Sequence, residues 1–166
     1  IGSAYDGQYL MMFDNINVAG QPKYDSYVTA YEDVVKFSPE RIELIAGIIK
    51  EHEDKQILIT FKEKDHGKFM YEQLVERFPY LQNESAYIHG ESPNRYSAVE
   101  AFKKNKMQVL IASMILKQSI NIPNIQVLVM AHGGKSKIVL KQFIGRAIRD
   151  DGESEDVIVY DFYDEG

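Results

Sequence analysis

Cysteine is absent from these 166 residues, which rules out both a disulfide framework and a thiolate metal site. The four histidines, His52, His66, His89 and His132, are scattered without metal-ligand spacing. No apolar run approaches the roughly 18 residues needed to span a bilayer, and no secretory leader is visible. The expectation is a cytoplasmic protein with no membrane partner and no metal site of its own. Positive charge is also scarce: a formal net charge of −6 argues at first sight against a nucleic-acid partner.

Distribution matters more than the sum. Acidic residues crowd the end of the chain, from Asp150 to Glu165. Lysines group at Lys103, Lys104 and Lys106, and again at Lys135, Lys137 and Lys141. A locally basic face on an acidic body is therefore compatible with the composition. A hydrophobic share of 45% suits one globular domain with a real core. The chain opens Ile-Gly-Ser rather than with Met, and is expected to be a piece of a longer protein.

Residues 1–37 are hard to read and are expected to be a lead-in or linker from a preceding domain. Tyr9–Phe13 and Tyr27–Tyr31 suit short strands or loop anchors, and Asp14-Asn15 suits a turn. Order begins at Ser38-Pro39-Glu40, where a capping serine, a proline at the first helical position and an early glutamate predict a helix. Ile42, Ile45, Ile48 and Ile49 continue it at helical spacing.

Ile57–Phe61 is a continuous apolar run of the kind buried on both faces of a parallel sheet. A helix over about 65–78 follows, with Phe69, Met70, Leu74 and Val75 inward, and Pro79 stops it. Ala86–Ile88, Val109–Ala112, Val127–Ala131 and Val157–Tyr160 are further strands. Ser92-Pro93 is expected to cap a helix carrying Tyr96, Val99 and Phe102 inward, and Ser136 another. Alternating strands and helices give an α/β domain over 38–166, with a mainly parallel sheet and ligands at its carboxyl edge.

Four segments carry chemistry. In Gln142–Arg149, Arg146 and Arg149 lie three residues apart, so on a helix they share a face and converge on one anion. Guanidinium groups suit charge on a transferring phosphoryl group, and Gly145 leaves room for a close approach. Read alone, this is also an ordinary basic surface helix. Ser113–Pro123 ends a strand in a hydroxyl and reaches Asn121 two residues before proline, which suits a phosphate and a ribose hydroxyl. His89-Gly90 opens a helix with Arg95 one turn in, a ready anion seat. Gly134-Lys135-Ser136 follows a strand as a phosphate loop would, but Val129 stands where that loop needs its first glycine, so a tight turn is expected instead.

Together, in this order, the segments resemble the second RecA-like domain of superfamily 2 helicases. Ile57–Phe61 matches the aromatic-ended strand called motif IV, and His89-Gly90 with Arg95 and Phe102 matches the segment after it. Ser113–Pro123 matches the length of motif V, and Gln142–Arg149 matches motif VI, Q-x-x-G-R-x-x-R. The resemblance covers about residues 40–163. Phe61-Lys62 with His66-Gly67-Lys68, and Ala131-His132-Gly133 with Lys135-Ser136-Lys137, bring it nearer a phage branch that remodels forked and recombining DNA. Ser119 and Asn121 depart from the glycine and aspartate usual in motif V, and Phe143 replaces a basic or small residue.

The resemblance implies a RecA-like three-layer α/β/α fold and half of an ATP site. ATP and Mg2+ would be held mainly by a preceding RecA-like domain with the P-loop. Arg146 and Arg149 would reach across the cleft, one as arginine finger, with Gln142, Gly145 and Asn121 near the nucleotide. Ser113, His89, Gly90, Lys62 and Lys117 would hold the DNA backbone. The host compartment would be the cytoplasm of a phage-infected bacterium. RNA as the track, or a RecA-like module used only for protein docking, stand as alternatives.

Overall fold

The computed structural model describes residues 11–17, 37–114, 116, 125–131 and 157–163. Among these residues, six strands form one sheet: β1 (Met11–Asn17), β2 (Ile57–Phe61), β3 (Ser85–Ile88), β4 (Val109–Ser113), β5 (Val127–Met130) and β6 (Val157–Tyr163). Their order is β1-β6-β5-β2-β4-β3, and every pairing is parallel. Among the described residues, four helices accompany them: α1 (Pro39–Glu51), α2 (Lys64–Arg77), the single-turn α3 (Leu81–Glu84) and α4 (Arg95–Lys103).

The apolar runs become strands because both faces of the sheet are covered. Alternate residues of β2 point opposite ways. Ile57, Ile59 and Phe61 join the core made with α1 and α2, through Ile45, Ile49, Met70 and Leu74. Leu58 joins the other core, with Ala98, Val99 and Phe102 of α4. The result is the expected three-layer α/β/α arrangement.

Local chemistry sets the helix ends. Ser38 Oγ accepts the Arg41 N–H at 3.3 Å and caps α1, with Pro39 in its first turn. At the end of α4, Asn105 takes the left-handed conformation at φ 60°. Its N–H bonds the Phe102 carbonyl while Lys106 N–H bonds that of Ala101, the paired closure that leaves few carbonyls unmet.

Three expectations need correcting. Asp14 and Asn15 lie inside β1, paired with Tyr160 and Asp161 of β6, and form no turn; a sheet partner overrides the poor strand propensity of these residues. The segment expected to be lead-in thus supplies an edge strand. Ser92 does not cap α4, which starts at Arg95 after Asn94. Proline at 93 disfavours helix at Ser92, and the Ser92 hydroxyl turns back to accept the His89 N–H at 2.9 Å. Tyr96 therefore sits in the first turn, where it is 61% exposed, while Val99 and Phe102 are inward as expected.

Candidate functional site

Because all the described strands are parallel, their carboxyl ends share one edge. The register aligns Ile88, Ala112, Thr60 and Met130 across β3, β4, β2 and β5. One residue further along stand His89, Ser113, Phe61 and Ala131, with Lys62 next to Phe61. Four predicted site residues, His89, Gly90, Ser113 and Lys62, are thereby brought to one rim. Their access differs: Lys62 and Gly90 are exposed, His89 is half-buried, and Ser113 lies beneath the rim at 4% exposure.

The turn after β3 is built by its own side chains. Glu91 N–H donates to His89 Nδ1 at 3.1 Å, so the neutral imidazole carries its proton on Nε2. Burial first, and the nearby Lys64 charge second, lower the His89 pKa below its ordinary 6.5. Arg95 Nη1 donates to the Ser92 carbonyl at 2.8 Å, which closes the turn onto α4. Lys64 pairs with Glu91, and Tyr87 Oη donates to the Lys64 carbonyl at 2.9 Å, so the start of α2 is tied to this turn.

Gly67 makes a close approach possible. A Cβ there would lie 2.5 Å from the Phe61 ring. The ring itself is fully buried and lies tilted against that of Tyr87, 5.5 Å centre to centre. The glycine of His66-Gly67-Lys68 thus lets α2 press onto the aromatic end of β2 and seats Lys62 and Lys64 at the rim.

One residue at this edge is invisible to motif reasoning. Arg41 is 3% exposed; its Nη1 donates to the Ala131 carbonyl at 3.0 Å, and its Cζ lies 5.3 Å from the Phe162 ring centre. It fastens the chain where β5 runs out. The available signal was periodicity, since Arg41 shares the helical face of Ile45 and Ile48.

Arg146, Arg149, Gln142, Gly145, Asn121 and Lys117 lie outside the described residues, as does the segment with Gly133-Gly134 and Ser136. Among the described residues, no helix is long and apolar enough to cross a membrane.

Residues 40–151 match the helicase conserved C-terminal domain. The ATP-dependent DNA helicase UvsW of Enterobacteria phage T4 is 26% identical over a 138-residue alignment covering 75% of this chain and 27% of the relative. The chain thus spans about a quarter of that relative's length. The crystal structure of T4 UvsW superimposes with a TM-score of 0.68 at 21% identity, over 99% of this chain and 34% of that one. S. cerevisiae Dbp5 bound to RNA and ADP BeF3 superimposes with a TM-score of 0.64 at 15% identity, over 98% of this chain and 37% of its own. The chain belongs to the helicase conserved C-terminal domain family, as a superfamily 2 member related to UvsW.

Proposed function

We propose that this chain is the C-terminal motor domain of an ATP-dependent DNA helicase or translocase acting on branched recombination or repair intermediates. The observation that carries the reading is the shared edge: Lys62, His89 and Gly90 open on the same rim at which β5 ends and hands the chain on toward Gln142–Arg149. Ligands of open parallel sheets bind at that edge. Arg41 supports it by holding the last carbonyl before the handover.

In this account Lys62 supplies charge to the strand backbone, and Gly90 lets a phosphate approach the turn without a side chain in the way. The Nε2–H of neutral His89 donates to a phosphate oxygen, and Ser113 supports the floor beneath. Lys117 adds charge nearby. Contacts of this kind read phosphates, so affinity falls with salt and carries little sequence preference.

Arg146 and Arg149 face a nucleotide held between this domain and the preceding one, and one of them acts as arginine finger. Gln142 senses the nucleotide, with Gly145 giving clearance and Asn121 contacting its sugar. ATP with Mg2+, held mainly by the preceding domain, supplies the phosphoryl transfer that drives the cycle. Without that domain these residues have nothing to complete, so the chain alone turns over essentially no ATP.

The test is strand-stimulated ATP turnover by this chain joined to its P-loop-bearing domain, with forked DNA, single-stranded DNA and RNA at matched salt. Forked DNA is expected to stimulate most. Greater stimulation by RNA would move the assignment to an RNA helicase. Turnover that no strand stimulates would leave a protein-docking module.

A further inference from the structure

The first turn of α4 carries an aromatic ring that the core does not use. Tyr96 is 61% exposed, although it stands three residues before the buried Val99. The helix starts only at Arg95, so its first turn sits at the carboxyl edge, next to the turn of His89 and Gly90. The ring is not idle there. Arg95 Cζ lies 4.8 Å from its centre, and the same guanidinium is tethered to the Ser92 carbonyl. A tethered cation against an aromatic ring limits where that ring can swing.

The charge around the ring also matters. Glu91 is the carboxylate of the 89–94 turn, and Lys64 pairs with it. Glu100, one turn further along α4, lies 3.8 Å from Lys103. The charged group that the structure sets against the ring is the Arg95 cation. An exposed tyrosine beside an arginine, at the lip of a phosphate-reading edge, is the pairing used to hold bases without reading them.

We infer that Tyr96 is a stacking platform for an unpaired nucleobase of the strand whose backbone follows this rim. The inference rests on the nucleic-acid reading above and adds a base contact to it. The Arg95 guanidinium braces the ring and the turn, and the phenol face receives the base. Stacking needs the ring and not the hydroxyl, so phenylalanine should serve as well. Every base has a π-face, so the contact carries little sequence preference.

The experiment compares, in the full-length protein, binding of a single-stranded oligothymidylate and of an abasic strand of equal length at one salt concentration. Tyr96→Ala should weaken oligothymidylate binding by roughly 5- to 140-fold, the range stacking supplies. It should leave abasic binding within about twofold and the salt slope unchanged. Tyr96→Phe should bind both strands like the parent. Equal weakening on both strands would overturn the inference, because a backbone or folding effect would then explain the loss. Unchanged oligothymidylate binding by Tyr96→Ala would overturn it as well. Failure of the parent protein to bind either strand would instead remove the nucleic-acid reading on which it stands.

Discussion

The two edges of the sheet are built to opposite plans. At the amino edge a glutamine stands one residue before each of three neighbouring strands: Gln56 before β2, Gln108 before β4 and Gln126 before β5. Gln56 Nε2 donates to the carbonyls of Phe102 at 2.5 Å and Met107 at 3.0 Å. Gln126 Oε1 accepts the Gln56 N–H at 3.1 Å. Gln108 donates to the His52 carbonyl at 3.2 Å and accepts from Tyr80 Oη at 2.6 Å. The side-chain amides there spend their capacity inside the protein. At the carboxyl edge Lys62, His89, Gly90 and Tyr96 meet solvent. An edge stitched by its own amides offers little to a ligand; an edge that leaves cations, a turn glycine and a ring outside can bind one. Arg41 and His52 mark the same contrast at the two ends of α1: the first grips the Ala131 carbonyl at the carboxyl edge, the second shares a 2.8 Å hydrogen bond with Tyr160.

Substitutions that separate the edges sharpen this contrast. The largest effect is expected at Arg149, proposed above as a candidate arginine finger, in the full-length protein. Arg149→Ala should lower ATP turnover by about 10³- to 10⁵-fold, the contribution of an arginine finger, with thermal stability unchanged. A rate within about twofold of the parent would remove Arg149 from the catalytic set.

Next comes Gly67→Ala. Overpacking the Phe61 ring costs about 1–3 kcal/mol, whereas relieving a helical glycine returns at most about 1 kcal/mol. The expected outcome is net destabilisation in urea unfolding, together with weaker strand binding because Lys62 and Lys64 shift. A gain in stability would show that α2 does not press on Phe61.

At the amino edge, Gln56→Ala strips the Met107 carbonyl of its side-chain donor, while the Phe102 carbonyl keeps the Asn105 N–H; the loss should cost about 1–3 kcal/mol of stability. Strand affinity at a temperature where the variant stays folded should remain within about twofold. A large loss of affinity without loss of stability would contradict the division between edges.

The smallest effect is on pH. Burial is the main cause that lowers the His52 pKa from its ordinary 6.5. The unfolded chain therefore takes up a proton more readily than the folded one. Stability contributed by neutral His52 is complete above about pH 6.5 and is lost as pH falls through 6.5 toward the folded value. Urea midpoints measured between pH 8 and 5 should decline on the acid side, and less so in His52→Gln. His89 titrates in the same sense, so part of the decline should persist in that variant.

Much of this architecture is legible from residue order alone, for physical reasons. Ser38-Pro39 is a complete helix start, and short, β-branched apolar runs such as Ile57–Phe61 suit a sheet covered on both sides. The rim followed from strand ends once the sheet was parallel. What escaped notice depends on contacts distant in sequence. Asp14 and Asn15 become strand because β6 is beside them, and Arg41 meets the carbonyl of Ala131, 90 residues away, and the ring of Phe162. Spacing alone turns Tyr96 inward, because it says which positions share a face but not where the helix begins; α4 begins at Arg95 and leaves the ring exposed. The glutamines of the amino edge each look like ordinary polar residues until the strands that follow them are set side by side.

Hydrogen exchange of backbone amides in the full-length protein, with and without a saturating DNA strand, tests most directly whether the carboxyl edge is the one that works. The strand should slow exchange at Lys62–Lys64 and across His89–Tyr96, and leave Gln56, Gln108 and Gln126 as they were. Protection confined to the glutamine edge, or spread equally over both edges, would contradict the account.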